Sequence, residues 1–249
     1  MFLSTFFEKL GQYVLLMSKV FTKPQKWSVF FRQFVQEINK LGVGSIGIVI
    51  LISFFIGAVI VVQIKLNIDN PIMPRWTVGY VSREIILLEF SSSIMFLILA
   101  GKVGSNIASE IGTIRITEQI DALEIMGVNS ANYLILPKTL ALMVFTPVLV
   151  TFSIFAGVVG GFVVAGIGHI MPVADLEFGF QSFFKPFYVW YAIIKSIFFA
   201  YIVATVASYY GYYARGGSLD VGKASTNSVV MSSILILASD LVITQLMMG

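Results

Sequence analysis

Twenty-four consecutive residues, Leu41 to Ile64, carry no charge and are bracketed by Lys40 and Lys65. About 20 mostly apolar residues is the length that crosses a bilayer as a helix, and a run without a polar face has no solvent side in a water-soluble domain. Four more stretches follow the same theme. They are Ile85 to Ala108, interrupted by Glu89 and Lys102; about Tyr133 to Gly161; Pro186 to Tyr213, carrying Lys195; and Ala224 to Met248, carrying Asp240. The third span, about Tyr133 to Gly161, overlaps a run of 36 residues, Thr139 to Ala174, free of charge if His169 is neutral. As a helix that run would be roughly 54 Å long, too long for one crossing and short for two with a turn. We read it as one long span entering a glycine-rich exit at Gly160, Gly161, Gly166 and Gly168. Of the 249 residues, 57% are hydrophobic and 12% charged, against about 25% charged in soluble domains. The expected fold is an all-α integral membrane protein of about five transmembrane helices.

Lysine and arginine set the orientation. With the N-terminus inside, the cytoplasmic side holds Lys9, Lys19, Lys23, Lys26, Arg32, Lys40, Lys102, Arg115, Lys138, Arg215 and Lys223, eleven in all. The outside keeps four: Lys65, Arg75, Arg83 and Lys185. The C-terminus is therefore expected outside; a sixth crossing within the long third run would place it inside.

Residues 1–40 do not read as a signal peptide, because no basic leader precedes the apolar stretch and no small-residue cleavage site follows it. Leu3, Phe6, Phe7, Leu10, Val14, Met17 and Phe21 recur at helical spacing. After Pro24 the pattern resumes with Trp27, Phe30, Phe31, Phe34, Ile38 and Leu41, opposed by Arg32, Gln33, Gln36, Glu37 and Lys40. Two basic amphipathic helices suited to the interface plane are expected, separate from a membrane domain over 41–249. The alternative is that one of them packs on a partner protein.

The composition also excludes chemistries. The chain has no cysteine and one histidine, so a disulfide framework, a thiolate metal site and a His-based metal cluster are not expected. A net charge of +3 argues against nucleic-acid binding. Gly217-Ser218-Leu219-Asp220-Val221-Gly222-Lys223 fits seven positions of a phosphate-binding loop, but Ala224 stands where the Mg²⁺-binding hydroxyl belongs. We read it as a cytosolic turn, and His169 as an outer-loop residue. No catalytic constellation is present.

The most distinctive polar segment, about residues 109–127, lies between the second and third spans. Ile116, Ile120 and Leu123 fall on one helical face, with Glu118, Asp121 and Glu124 opposite. Gly127 suits a left-handed C-cap, and Asn129 or Ser130 can open the next helix. A plain connector would take only a few residues, so a cytosolic docking helix is favoured over a mere linker.

Ala100-Gly101-Lys102-Val103-Gly104-Ser105, followed by the segment from Glu110-Ile111-Gly112 to Glu124-Ile125-Met126-Gly127-Val128, resembles the MlaE-type (YrbE-type) permease family. These are membrane subunits of ABC transporters that move phospholipids or related lipids across the cell envelope. The likeness extends to Phe55-Ile56-Gly57, Ile194-Lys195-Ser196 and Asp240-Leu241, and so covers nearly the whole chain. One departure is clear: where members carry Arg-Glu-Leu-Gly-Pro entering the second span, this chain reads Leu88-Glu89-Phe90-Ser91-Ser92. The resemblance implies a homodimer bound to two ATPase subunits, with an MCE-type periplasmic lipid-binding protein on the outer side. It implies no cofactor in this chain, ATP and Mg²⁺ being bound by the ATPase. It makes 109–127 the coupling helix, with Glu110, Arg115, Glu118, Asp121, Leu123 and Glu124 as ATPase-coupling residues. It lines a lipid cavity with Val61, Val62, Gln63, Glu89, Phe90 and Leu140, and implies a bacterial inner membrane.

Charges within spans are costly and default to functional hypotheses. Glu89, Lys195 and Asp240 each sit in an apolar stretch, and we expect them to meet as one network. That network either only fixes helix packing or serves transport, with Glu89 bordering the cavity. A different class of function, an ion-coupled secondary transporter using the same three charges as a relay, is the alternative.

Overall fold

Backbone polar groups in hydrocarbon must be satisfied within the chain, and helices do this segment by segment. A computed structural model describes residues 2–24, 26–68 and 73–248, without the side chains of residues 2–6. Leu3 and Phe6 of the first amphipathic pattern therefore lie outside the described side chains. The elements are α1 (Phe2–Val20), α2 (Trp27–Glu37), α3 (Gly44–Asn67), α4 (Thr77–Ile85), α5 (Met95–Leu99), α6 (Ser105–Ile116), α7 (Gln119–Ile125), α8 (Ser130–Ile167), α9 (Val173–Gln181), α10 (Phe187–Tyr212) and α11 (Ser218–Met248). Three π-helical segments, Ile38–Val43, Ile86–Ile94 and Ala100–Gly104, are spliced between them. Among the described residues, five helical stretches are long and apolar enough to cross a membrane: Trp27–Asn67, Thr77–Ile116, Ser130–Ile167, Phe187–Tyr212 and Ser218–Met248. The all-α membrane architecture read from the sequence is the one observed.

Four details differ from expectation. The second amphipathic helix is not separate from the first span, because Ile38–Val43 widens into a π turn and carries α2 into α3 without a break. Nothing between Glu37 and Gly44 stops a helix, and Gly42 leaves room for the Phe145 ring. The glycine-rich exit is not an exit either. Gly160, Gly161 and Gly166 lie inside the 38-residue α8, where the first two let helices touch. The segment 109–127 is two helices: α6 runs on to Ile116, and Glu118 turns the chain with a left-handed φ of 61°. Finally, α9 was not foreseen; it follows a turn in which the exposed His169 has a φ of 47°.

The chain divides into two units. One comprises Met1–Val43, Leu97–Phe145 and Phe198–Ser239. Within it, Gly104 meets Val203 and Ala207, Gly112 meets Val221 and Ala214, and Gly211 meets Ala108 and Ile111. Small residues here let α6, α10 and α11 approach closely, the device expected in lipid where no hydrophobic force draws helices together. The Tyr13 hydroxyl donates to Thr205 Oγ1 at 2.8 Å, and burial pushes that phenol up to about 12. Asn132 Nδ2 donates to the carbonyls of Val20 and Thr22, each at 2.7 Å, tying the exit of α1 to α8.

The other unit comprises Gly44–Phe96, Thr146–Ile197 and Asp240–Gly249. In it, α3 and α8 touch backbone to backbone: a Cβ on Gly57 would overlap Gly157, and one on Gly160 would overlap the Phe54 carbonyl. The buried hydroxyls of Ser53 and Ser153 meet at 2.8 Å beside this contact. A similar glycine pair, Gly79 and Gly179, lets α4 lie against α9. Val61, Val78, Ala165, Met171 and Leu176 form one apolar cluster, and Ile60, Ile86 and Phe90 another.

Candidate functional site

Lys195 on α10 is fully buried, and the neighbouring helices supply its partners. Its Nζ lies 2.5 Å from Asp240 Oδ1 on α11. It donates to both carboxylate oxygens of Glu89 at 3.3 Å and to the Leu88 carbonyl at 3.1 Å. The Tyr191 ring lies 5.0 Å away, an attractive distance for a cation over an aromatic face. Glu89 and Leu88 both belong to the π-helical segment Ile86–Ile94, and Ser93 Oγ donates to Glu89 Oε2 at 3.2 Å. The two carboxylates are not equivalent. Asp240 is 15% exposed and Glu89 45%, so Asp240 acts as the buried counterion while Glu89 keeps an open side.

The residues named for the cavity fall in different environments. Phe90 and Val61 are fully buried, each in one of the apolar clusters. Val62 is half-buried, Gln63 exposed, and Leu140, which belongs to the other unit, half-buried. Of this set Gln63 is exposed, and Glu89, like Val62 and Leu140, is half-buried.

Sequence reasoning missed Arg83. Counted among outer-side loop cations, it is 2% exposed. Its Nη1 donates to the carbonyls of Phe180 at 2.8 Å and Ser182 at 2.7 Å, and its Nη2 to Glu84 at 2.6 Å. The guanidinium lies 5.0 Å from the centre of the Tyr80 ring. This arginine staples the end of α9 to α4. The signal in the sequence was Glu84 beside it, just ahead of the apolar stretch that begins at Ile85.

In the other unit, α7 is a short helix braced on every side. Ile120 anchors it, fully buried. Arg115 donates to Asp121 at 2.7 Å across the Glu118 turn. Glu124 accepts from Ser130 Oγ at 2.9 Å and from the Tyr212 hydroxyl at 3.0 Å. At the far end Gly127, with φ 75°, closes a Schellman cap: Val128 N–H reaches the Leu123 carbonyl at 3.0 Å, and Gly127 N–H the Glu124 carbonyl at 2.9 Å. Asn129 Oδ1 then caps α8, accepting from the Asn132 N–H at 3.2 Å.

The expected acidic face is thereby rearranged. Glu118 sits in the turn rather than on the helix, Asp121 is paired, and Glu124 is drawn in toward Ser130 and Tyr212. Glu110 is held by Lys40 at 2.6 Å and Lys138 at 2.9 Å, with Lys138 also bonded to Glu37 at 2.5 Å. Leu123 is half-buried. Beside Glu118, Asp121 and Glu124, which stay exposed, α7 presents outward an apolar tip, Ile125 at 87% exposure and Met126 at 68%. The phosphate-loop-like segment is the start of α11, where Asp220 Oδ2 accepts the Gly217 N–H at 3.2 Å.

Compared with known proteins, residues 34–246 match the family model described as Permease MlaE. The chain belongs to the MlaE permease family. The permease is 33% identical to the probable ABC transporter permease protein RP096 of Rickettsia prowazekii, over 97% of this chain and 93% of that one. It is 30% identical to a probable ABC transporter permease protein of Rickettsia bellii, over 96% and 92% of the two chains. It is also 26% identical to the chloroplastic protein trigalactosyldiacylglycerol 1 of Arabidopsis thaliana, over 92% of this chain and 65% of that protein. With five apolar helices long enough to span, the chain is a multi-pass membrane permease subunit of the ABC transporter type.

Proposed function

We propose that this permease moves phospholipid or a related lipid, as a homodimer driven by two separate ATPase subunits, with an MCE-type protein on the outer side. The observation that carries the reading is α7. A seven-residue helix held by a buried isoleucine, an ion pair, a hydroxyl network and a C-cap yet exposing Ile125 and Met126 is built to transmit force through a docked partner. Apolar anchors rimmed by polar groups are where binding energy concentrates. The charges first assigned to coupling then act largely by bracing: Arg115–Asp121 and Glu124 fix the helix, and Glu110 fixes the end of α6. Lipid as substrate is supported by the family resemblance and by the glycolipid in the name of the Arabidopsis relative. The half-open Glu89 among apolar spans suits a headgroup beside acyl chains.

Replacing Ile125 and Met126 together with glutamate in the full chain tests the docking role. The expected result is loss of ATPase co-purification, at least tenfold, with the permease still folded and membrane-inserted. Unchanged ATPase recovery would overturn the coupling assignment. Native mass spectrometry of the same wild-type preparation addresses the substrate, with co-purified phospholipid expected. A lipid-free chain whose transport follows a proton gradient would favour the ion-coupled alternative built on Glu89, Lys195 and Asp240.

A further inference from the structure

Where the chain leaves α1 and begins α2, it forms a half-open pocket of about 170 Å³ against the start of α8. Its walls include Lys23, Lys26, Phe30, Gln33, Asn132 and Tyr133, and no carboxylate lines it. Among the described residues, neither lysine has an ion-pair partner. The walls are fixed by bonds directed away from the cavity's own needs. Asn132 Nδ2 is committed to the carbonyls of Val20 and Thr22, and Asn129 Nδ2 to the Lys19 carbonyl at 3.0 Å and Thr22 Oγ1 at 3.1 Å. The donors left to a ligand are the two ammonium groups, the Gln33 amide and the Tyr133 hydroxyl. α2 also begins here without a side-chain cap.

Size narrows the ligand. A drug-sized site is about 300–1,000 Å³, so this cavity admits a small anionic group and not a whole lipid. Its rim supplies what a lipid's remainder needs. Phe30 in the wall contacts Trp27 and Phe31, ring centres 5.8 and 5.7 Å apart. Trp27 and Phe31 are themselves 52% and 56% exposed, on a helix that continues into the first span. Tryptophan and phenylalanine at such a place mark a membrane interface, and basic pockets beside spanning helices take anionic headgroups.

The geometry points to a binding site for an anionic phosphate ester at Lys23 and Lys26, occupied by the headgroup of an acidic phospholipid whose chains lie over Trp27 and Phe31. This site is distinct from the transported lipid and does not depend on the transport reading. It would pin the α1–α2 corner to an acidic leaflet.

The test uses the full-length chain, purified in mild detergent and stripped of lipid, titrated with phosphatidylglycerol and followed by native mass spectrometry. Each lysine near an acidic surface is worth about 1 kcal/mol, so Lys23→Gln with Lys26→Gln should weaken phosphatidylglycerol binding about 30-fold. Lys9→Gln with Lys19→Gln, which changes net charge equally, should leave it unaltered. Lys23→Arg with Lys26→Arg should retain it, which separates lost charge from lost fold. Phosphatidylcholine should bind the wild type and the glutamine variant alike. Equal phosphatidylglycerol affinity in wild type and the Lys23/Lys26 glutamine variant overturns the site, and an equal fall in the Lys9/Lys19 variant reduces it to diffuse surface charge. If glycerol phosphate binds at the lysines while phosphatidylglycerol shows no preference for the wild type, the ligand is a free phosphate ester and the lipid assignment fails.

Discussion

Lys195 has two carboxylate neighbours, and they differ in what their removal exposes. Asp240 lies close and nearly buried; Glu89 shares longer, bifurcated contacts and is half open. Deleting the charge of a buried partner leaves an uncompensated ion in low dielectric, at a cost of about 3–5 kcal/mol, whereas the longer, half-open contact to Glu89 contributes less. Asp240→Asn should therefore lower the thermal midpoint in detergent well below that of Glu89→Gln. Glu89→Gln should instead reduce transport while leaving the midpoint nearly unchanged. Equal midpoints for the two variants would remove the distinction between counterion and open-sided residue. The charges themselves were legible in the chain, because an ionisable residue between long apolar runs has few tolerable surroundings. The asymmetry between the two acids was not. It depends on how the π-helical segment turns Glu89 and Leu88 together toward one ammonium, and a single extra residue per turn leaves no trace in hydrophobic pattern.

At the scale of elements, the spans were readable because a bilayer imposes length and polarity without reference to neighbours. The ends of elements were harder. Segment 109–127 has the right periodicity for one helix, yet the hydroxyl of Thr117 bonds back to the Thr113 carbonyl at 2.8 Å and Glu118 takes a left-handed turn, with Arg115 paired to Asp121 across it. Glycine read as punctuation in α8 proved to be contact surface. That reading has a direct consequence: Gly160→Leu should separate α3 from α8, because the new side chain would occupy the place of the Phe54 carbonyl. A drop of more than 10 °C in thermal midpoint, or failure to accumulate in the membrane, is expected from overpacking where a backbone must yield. By contrast Gly101→Leu, at a glycine with open space around it, should be tolerated. Similar behaviour of the two variants would remove the case for glycine-dependent packing.

For the whole molecule, five spans and the lysine–arginine imbalance together predict opposite sides for the two ends. The absence of cysteine makes the natural chain a clean background for labelling. Lys223→Cys should react with a membrane-impermeant maleimide only after permeabilisation, and Lys185→Cys in intact cells. The reverse pattern would invert the topology, and the same side for both would require an even number of crossings between them. Neither partner nor substrate could be read at this scale from composition. The motif running from Ala100 to Val128, with its shorter companions at Phe55–Gly57, Ile194–Ser196 and Asp240–Leu241, implied them through resemblance, and the structure adds the exposed tip of α7.

The backbone contact between α3 and α8 bears on how a lipid could enter sideways. Where Gly57 meets Gly157 and Phe54 meets Gly160, no slot remains wide enough for a hydrocarbon chain, and the buried Ser53–Ser153 bond fastens the same seam. This stretch of the seam between α3 and α8 is closed. If the permease moves lipid as proposed, the lipid does not pass between these two helices here, and a spin label or crosslinker placed along this seam should register no opening during turnover.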